Sequence, residues 1–482
     1  MTKRPLILAL LLGAACAPAC GGSDTETTSG GPPALRLIAT TGVAIKEIAL
    51  YQAVKRPLMV DGMPATSDTP IVAGRDALLR VFVEVDESHE LLARLYLDED
   101  PTPIEIKQTI ARTSLDDKLD STLNFDIPGA KLTPTTKYRI AVGEMELAPT
   151  NNPDAPAYPA TGSDPLPAES AGESLKIVLA PISYKGVVPE MTAELIKLYS
   201  DGFYAMYPAP KVEVTVRAEP IVWTKDVDPS GLGWSQLLDQ VAKVRLQDKV
   251  EKDVYYFAPF TPTKNFGQFC GGGCVAGLGL LGTPSDSYSR AAIGLGYGDP
   301  DSIVTALHET GHNHGREHAP CGPVGADFDQ QFPYKGGLDG VWGYNLLTKA
   351  FHEPKETDIM GYCDHIWISD YTFTGLFNRM KLVNGAKRVI IPEALRNRLY
   401  DRALVNADGS VQWLSSLRLE EPPTAEETSI EVESAGLTET VKGSFYRFDH
   451  LEGGIAFWPA SERQTKAIRL DVGAGKRVRL SK

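Results

Sequence analysis

Cysteine and histidine are scarce in this sequence, with 6 and 8 copies in 482 residues. Only Cys270, Cys274, Cys321 and Cys363 lie beyond the first twenty residues, too few for a small disulfide-built scaffold. Positive charge is also short: 48 Lys and Arg face 62 Asp and Glu, a net charge of −14, which makes a nucleic-acid or anionic-lipid surface a poor expectation. The apolar run from Leu6 to Ala15 is too short to span a bilayer as a permanent helix. There is no Gly-x-x-x-x-Gly-Lys phosphate loop, no Gly-x-Ser-x-Gly elbow and no dinucleotide pattern around Gly271-Gly-Gly273. Nor does any repeat recur at a fixed period. What remains is 43% apolar and 23% charged residues, a folded, water-soluble chain. At roughly 150 residues per domain, it has room for about three.

The first residues are informative. Met1-Thr-Lys-Arg4, the apolar run and Cys16-Ala-Pro-Ala-Cys20 form a charged, an apolar and a small-residue region in the order of an export signal, here 1–20. Small residues before Cys16 and Cys20 resemble a bacterial lipoprotein signal, in which the cysteine is lipidated after cleavage, although neither has Leu three residues earlier. Residues 21–34 then read as a flexible tether. Membrane contact is expected only through that anchor at Cys20 or Cys16, and an ordinary secreted protein is the alternative. In an oxidising compartment the four remaining cysteines suit two disulfides, in any of three pairings.

Residues 35–147 alternate apolar and polar positions in short runs, as in Ala77–Val85, and read as an antiparallel β domain of sandwich form. The Pro-, Ala- and Ser-rich stretch 148–174 reads as a linker. From Leu175 strands and helices interleave: Leu175–Leu179, Met191–Met206, Val212–Val216, Trp234–Gln247 and Val254–Phe257, an α/β unit over 175–385. Short alternating runs return in 386–482, a second β module.

Four of the eight histidines fall within the eleven residues His308 to His318. Asp299 suits an N-cap, Pro300 the first helical position and Gly315 a C-terminal stop, predicting a helix over about 300–314. That helix places His308 and His312 one turn apart on one face, and a reversal at Gly315 returns His318 as a third nitrogen donor. Three neutral imidazoles leave one position of a tetrahedral Zn²⁺ open to water, and Glu309 stands beside them as a proton acceptor. His314, two positions past His312, points away and reads as a supporting or surface residue. By this chain's own composition the pattern arises by chance on the order of 10⁻⁵ times.

The motif His308-Glu-x-x-His312-x-x-Gly315-x-x-His318 resembles the signature of the metzincin zinc endopeptidases, over roughly 175–385. The resemblance implies a multidomain α/β plus β fold class, a metzincin-like α/β catalytic domain flanked by N- and C-terminal β-sandwich-like domains. It makes Asp358-Ile-Met360-Gly-Tyr362-Cys363 a methionine turn, with Met360 an apolar floor under the metal and Tyr362 a candidate metal-side tyrosine. It makes Val275–Leu281 the cleft edge that pairs with substrate, and Ser369 the cap of a closing helix. It favours a Cys321–Cys363 disulfide pinning that turn, which leaves Cys270 and Cys274 to close a small loop. Implied too are one Zn²⁺, held by His308, His312 and His318, Glu309 as general base, and extracellular protein or glycoprotein substrates. No EF-hand or nonapeptide repeat supports Ca²⁺. The rival expectation is a catalytically silent surface lipoprotein, an adhesin or a glycan- or protein-binding protein.

Overall fold

The alternating runs of the N-terminal half form two antiparallel sheets around a shared core. In the computed structural model, which describes residues 36–146, 151–323, 328–386, 392–434, 437–461, 465–471 and 477–482, Val43–Val60 pairs with Ala77–Val85 and that strand with Thr122–Ile127. The second sheet runs Leu37–Ile38, Lys137–Met145, His89–Leu97, Ile104–Ile110. Leu79 and Val81 of the first meet Leu91, Leu95 and Ile140 of the second. Residues 151–174 run along these sheets: Ala157–Tyr158 and Asp164–Pro165 pair with Lys137–Met145, and Leu166 is buried. The signal at 1–20, with Cys16 and Cys20, and the tether at 21–34 lie outside the described residues.

A five-stranded sheet positions the histidine-rich segment. Its order is Val212–Val216, Leu175–Leu179, Val254–Phe260, Ala291–Leu295, Gly277–Gly279; the first four strands are parallel and the last is antiparallel. The helices Ala193–Met206, Trp234–Gln247 and Pro300–Asn313 pack on it. Asp299 caps the third through Ser302 N–H at 2.9 Å, and Ser369 Oγ caps the closing helix Asp370–Ala386 through Thr372 N–H at 3.0 Å. Asn313 ties the third helix to the sheet, its amide donating to the carbonyls of Leu280 and Ala291.

The expected fold class needs correction. Strand makes up 40% and helix 17% of the structure, in curled sheets with few helices, which is mostly β and not a metzincin-like α/β catalytic domain between two sandwiches. The strand–helix alternation that begins at Leu175 ends with the helix Pro300–Asn313. Past His314 the chain reaches Ser369 without a helix among the described residues, through two-residue strands and turns in which Gly315, Gly322, Gly336, Gly337 and Gly340 take positive φ. One of those strands, Gly343–Tyr344, joins the first N-terminal sheet by pairing with Ala53 and Val54. The C-terminal part is likewise no sandwich but a single seven-stranded antiparallel sheet, in the order Val411–Leu419, Arg398–Val405, Gly454–Pro459, Leu437–Arg447, Glu426–Ser434, Thr465–Asp471, Arg477–Ser481. Its buried Tyr446, Ile455 and Phe457 share one core with Trp234, Leu280 and Ile293.

Two buried arginines bind these parts together. Arg75 of the N-terminal sheets donates to the carbonyls of Tyr204, Tyr207 and Ala209 at the end of the first helix. Arg402 of the C-terminal sheet meets Asp239 of the second helix at 2.5 Å, and Tyr288 donates to the same carboxylate oxygen at 2.9 Å. Both members of the pair are buried. Asp239→Ala leaves the guanidinium uncompensated and is expected to lower unfolding free energy by about 3–5 kcal/mol in a denaturant titration; a loss below about 1 kcal/mol contradicts this.

Candidate metal centre

His308 and His312 stand one turn apart on the helix Pro300–Asn313, so their rings lean to the same side. His308 Nδ1 bonds the Ile359 carbonyl at 2.7 Å, and His312 Nδ1 the Arg316 carbonyl at 2.6 Å. A carbonyl only accepts, so each Nδ1 carries the proton and each Nε2 keeps a free lone pair. The two Nε2 atoms lie 3.0 Å apart. Lone pairs facing each other at that distance repel unless a cation lies between them, and a ring held by its other nitrogen is how proteins present imidazole to a metal.

At Gly315 the helix stops with φ +77°, its N–H bonding the His312 carbonyl at 2.7 Å while Arg316 N–H reaches the Gly311 carbonyl at 3.0 Å. A side chain at 315 would strike the Arg379 guanidinium. The reversed chain delivers His318, with ring centroid 4.7 Å from that of His312 and 5.4 Å from that of His308.

Met360 lies below. Its Sδ is 2.5 Å from where a Cβ on Gly311 would stand, so the bare glycine lets the methionine pack against the helix. The buried Asp358 carboxylate fixes this turn, accepting from Met360 N–H at 2.8 Å and Ser369 N–H at 2.9 Å. Cys321 and Cys363 form a disulfide with Cα atoms 5.7 Å apart, and Tyr362 N–H donates to the Cys321 carbonyl at 2.9 Å. Cys270 and Cys274 form the second. The Tyr362 hydroxyl is 2.6 Å from His318 Nε2.

Glu309 faces the strand Gly277–Gly279. A Cβ on Gly277 would stand 2.3 Å from its Oε1, so bare backbone is pressed against this carboxylate. The sequence-expected residues His308, Glu309, His312, His318, Met360 and Tyr362 thus come together. His314 faces the other way: it is buried rather than on the surface, stacked on Tyr255 at 4.1 Å between centroids.

Two further residues arrive from the C-terminal sheet. His450 Nε2 is 2.8 Å from Glu309 Oε1, its Nδ1 meets the Tyr362 hydroxyl, and Asp449 Oδ2 is 3.2 Å from His312 Nε2. Neither residue stands out in the sequence. The available signal is slight: a single histidine after an aspartate, in a Gly453-Gly454 turn between strands that otherwise carry no histidine.

Ligand atoms of His308, His312, His318 and His450 all lie within 4.8 Å of one another, as do those of Glu309, His312, Asp449 and His450. Glu309 Oε2 and Asp449 Oδ2 are buried without a hydrogen-bond partner, a costly state that a cation relieves. The donor set fits a divalent transition metal. In the bare protein, burial pushes the Glu309 carboxyl up to about 8 and holds His308 and His312 well below the ordinary histidine range. Burial, and then the neighbouring Glu309, raise Asp449 far above the usual carboxylate range. No family model matches the chain and no curated protein matches it, so the centre is argued from its own geometry.

Free metal at about a hundred times Kd is expected to raise unfolding free energy by about 2.7 kcal/mol, and His312→Ala to abolish that gain. A second expectation concerns chelated protein. His308, His312 and His314, the last pushed down to about 3 by burial, stay neutral when folded but take up protons below about 6.5 when unfolded. Glu309, pushed up to about 8 by burial, works the other way, holding in the fold a proton that the unfolded chain takes up only near 4.5, so chelated Glu309→Gln should lose stability more steeply than the unsubstituted chain as pH falls from about 6.5 to 5, and equal slopes contradict this.

Proposed function

We propose that this chain is an exported zinc-dependent endopeptidase of the metzincin type, lipid-anchored or secreted, that hydrolyses peptide bonds of extracellular proteins or glycoproteins. The observation that carries this is the pair of Nε2 lone pairs, held face to face by backbone carbonyls beside a third histidine and a buried carboxylate. The likeness to metzincins rests on that motif and on Met360, not on the overall fold. Two disulfides suggest an oxidising, extracellular setting. No helix among the described residues is long and apolar enough to cross a membrane.

His308, His312 and His318 would hold the ion. A zinc ion bound there would supply Lewis-acid polarisation of a carbonyl and acidification of a water molecule. Glu309, adjacent to the first histidine, takes the proton from the attacking water and returns it to the leaving amine. A cation beside it would draw off the proton that burial makes this carboxyl hold, which leaves it ionised to accept one. Tyr362, kept protonated by burial, would donate to the oxygen on which negative charge develops.

Glu309→Gln is expected to keep its zinc and lose about 10²–10⁴-fold in chelator-sensitive cleavage of a denatured protein. Zinc binding with equal cleavage by both proteins refutes the role of Glu309. Absence of zinc from the purified chain after metal loading refutes the proposal as a whole.

A further inference from the structure

A peptide substrate needs three things from this centre: the backbone edge of Gly277–Leu281 to pair with, access to the metal, and a free Glu309 carboxylate. In this structure one turn of the chain takes all three. The six residues Phe448–Gly453 link the strands Leu437–Arg447 and Gly454–Pro459, which are paired up to Arg447 and Gly454. Phe448 forms an antiparallel bridge with Leu280, and Leu281 N–H reaches the Arg447 carbonyl at 3.4 Å. Gly279 N–H, the donor an extended substrate would use, is spent at 2.9 Å on Asp449 Oδ1. A Cβ on Gly231 would stand 2.5 Å from Leu451 and 3.3 Å from Val275, so the turn also packs on Gly231, beside the same edge. His450 meets Glu309 and Tyr362 and adds a fourth ring nitrogen to the metal group. The centre is shut as a result: His312 is 0% exposed, Glu309 1%, and His308 and His318 6% each.

We propose that the turn Phe448–Gly453 is an intramolecular latch, which occupies the cleft as a peptide would and must withdraw before a substrate enters. This rests on the peptidase proposal for the same centre. The base of the turn stays in place. A Cβ on Gly453 would collide with the Val405 carbonyl and one on Gly454 with the Tyr446 carbonyl, so these glycines are wedged under the sheet. What moves is Asp449 to Glu452, while Phe448 stays buried in the core with Tyr446 and Phe457. The sheet itself remains docked through Arg402 and the core it shares with Trp234.

The test compares the zinc-loaded full chain with an Asp449→Ala/His450→Ala variant, using a tripeptide hydroxamate as probe and a denatured protein as substrate. The variant is expected to keep one zinc, to bind the hydroxamate at least about tenfold more tightly, and to cleave at least about tenfold faster, as follows if the unsubstituted chain is open about a tenth of the time or less. A second measurement needs no variant: hydroxamate binding to the unsubstituted chain should accelerate hydrogen exchange at the amides of 449–452. Hydroxamate bound with no change in that exchange overturns the latch. So does loss of zinc from the variant, which would make His450 an obligatory ligand. Cleavage by the unsubstituted chain at the variant's rate overturns the latch and upholds the peptidase. Tighter hydroxamate binding with no cleavage by either protein upholds the latch and overturns the peptidase.

Discussion

The carbonyl oxygens of Ile359 and Arg316 each accept a proton from a histidine Nδ1, and that pair of hydrogen bonds decides which nitrogens face the centre. The two acceptors come from opposite directions. Arg316 lies just past the helix stop, so its carbonyl is in place only because Gly315 turns the chain left-handed. Ile359 belongs to the turn that Asp358 and the Cys321–Cys363 disulfide hold fast. The helix presents the rings, but surroundings recruited from 315–363 choose their tautomer. The coil-rich stretch after the helix therefore belongs to the site as much as the helix does.

Burial then gives the centre its electrostatic character. His308, His312, Glu309 and Asp449 are all removed from water, so imidazoles stay neutral and carboxyls cling to protons until a cation arrives. Metal entry and proton release are thereby coupled, since a positive ion reverses the preference of both carboxyls. The enclosure is built from separate parts of the chain. Arg75 fastens the N-terminal sheets to the first helix, and Arg402 fastens the C-terminal sheet to the second, each by satisfying groups that would otherwise be buried unpaired.

Local chemistry was legible in the sequence wherever it is short-range. Asp299, Pro300 and Gly315 mark the motif helix, whose ends at Pro300 and Asn313 follow from capping and φ preference alone. The four-residue step from His308 to His312 follows from helix geometry, whereas the pairing of Cys321 with Cys363 came only from the resemblance that sets His318 and Met360 beside one metal. Long-range pairing was not legible. Nothing in Gly343-Tyr344 announces that it joins a strand nearly three hundred residues earlier, because two residues carry no period. The C-terminal strands alternate as a sandwich's would, yet one of their faces shares a core with the helix Trp234–Gln247 and with Tyr256 and Ile293 of the five-stranded sheet. Asp449 and His450 escaped for the same reason: a turn's neighbours are set by tertiary contact, which single-chain periodicity does not encode.

The register of the last hairpin has a consequence for how the cleft is contested. Because Arg447 and Gly454 are paired, the tip between them has fixed ends and a short leash. Its local concentration at the metal is set by that geometry and is independent of how dilute the protein becomes, unlike a prosegment that can be cut off and diffuse away. On the latch proposal an incoming chain would compete with a tethered rival. Success would go to polypeptides able to offer several consecutive backbone pairs to the edge at 277–281, so a device that keeps the centre quiet would also set a minimum length for what it accepts.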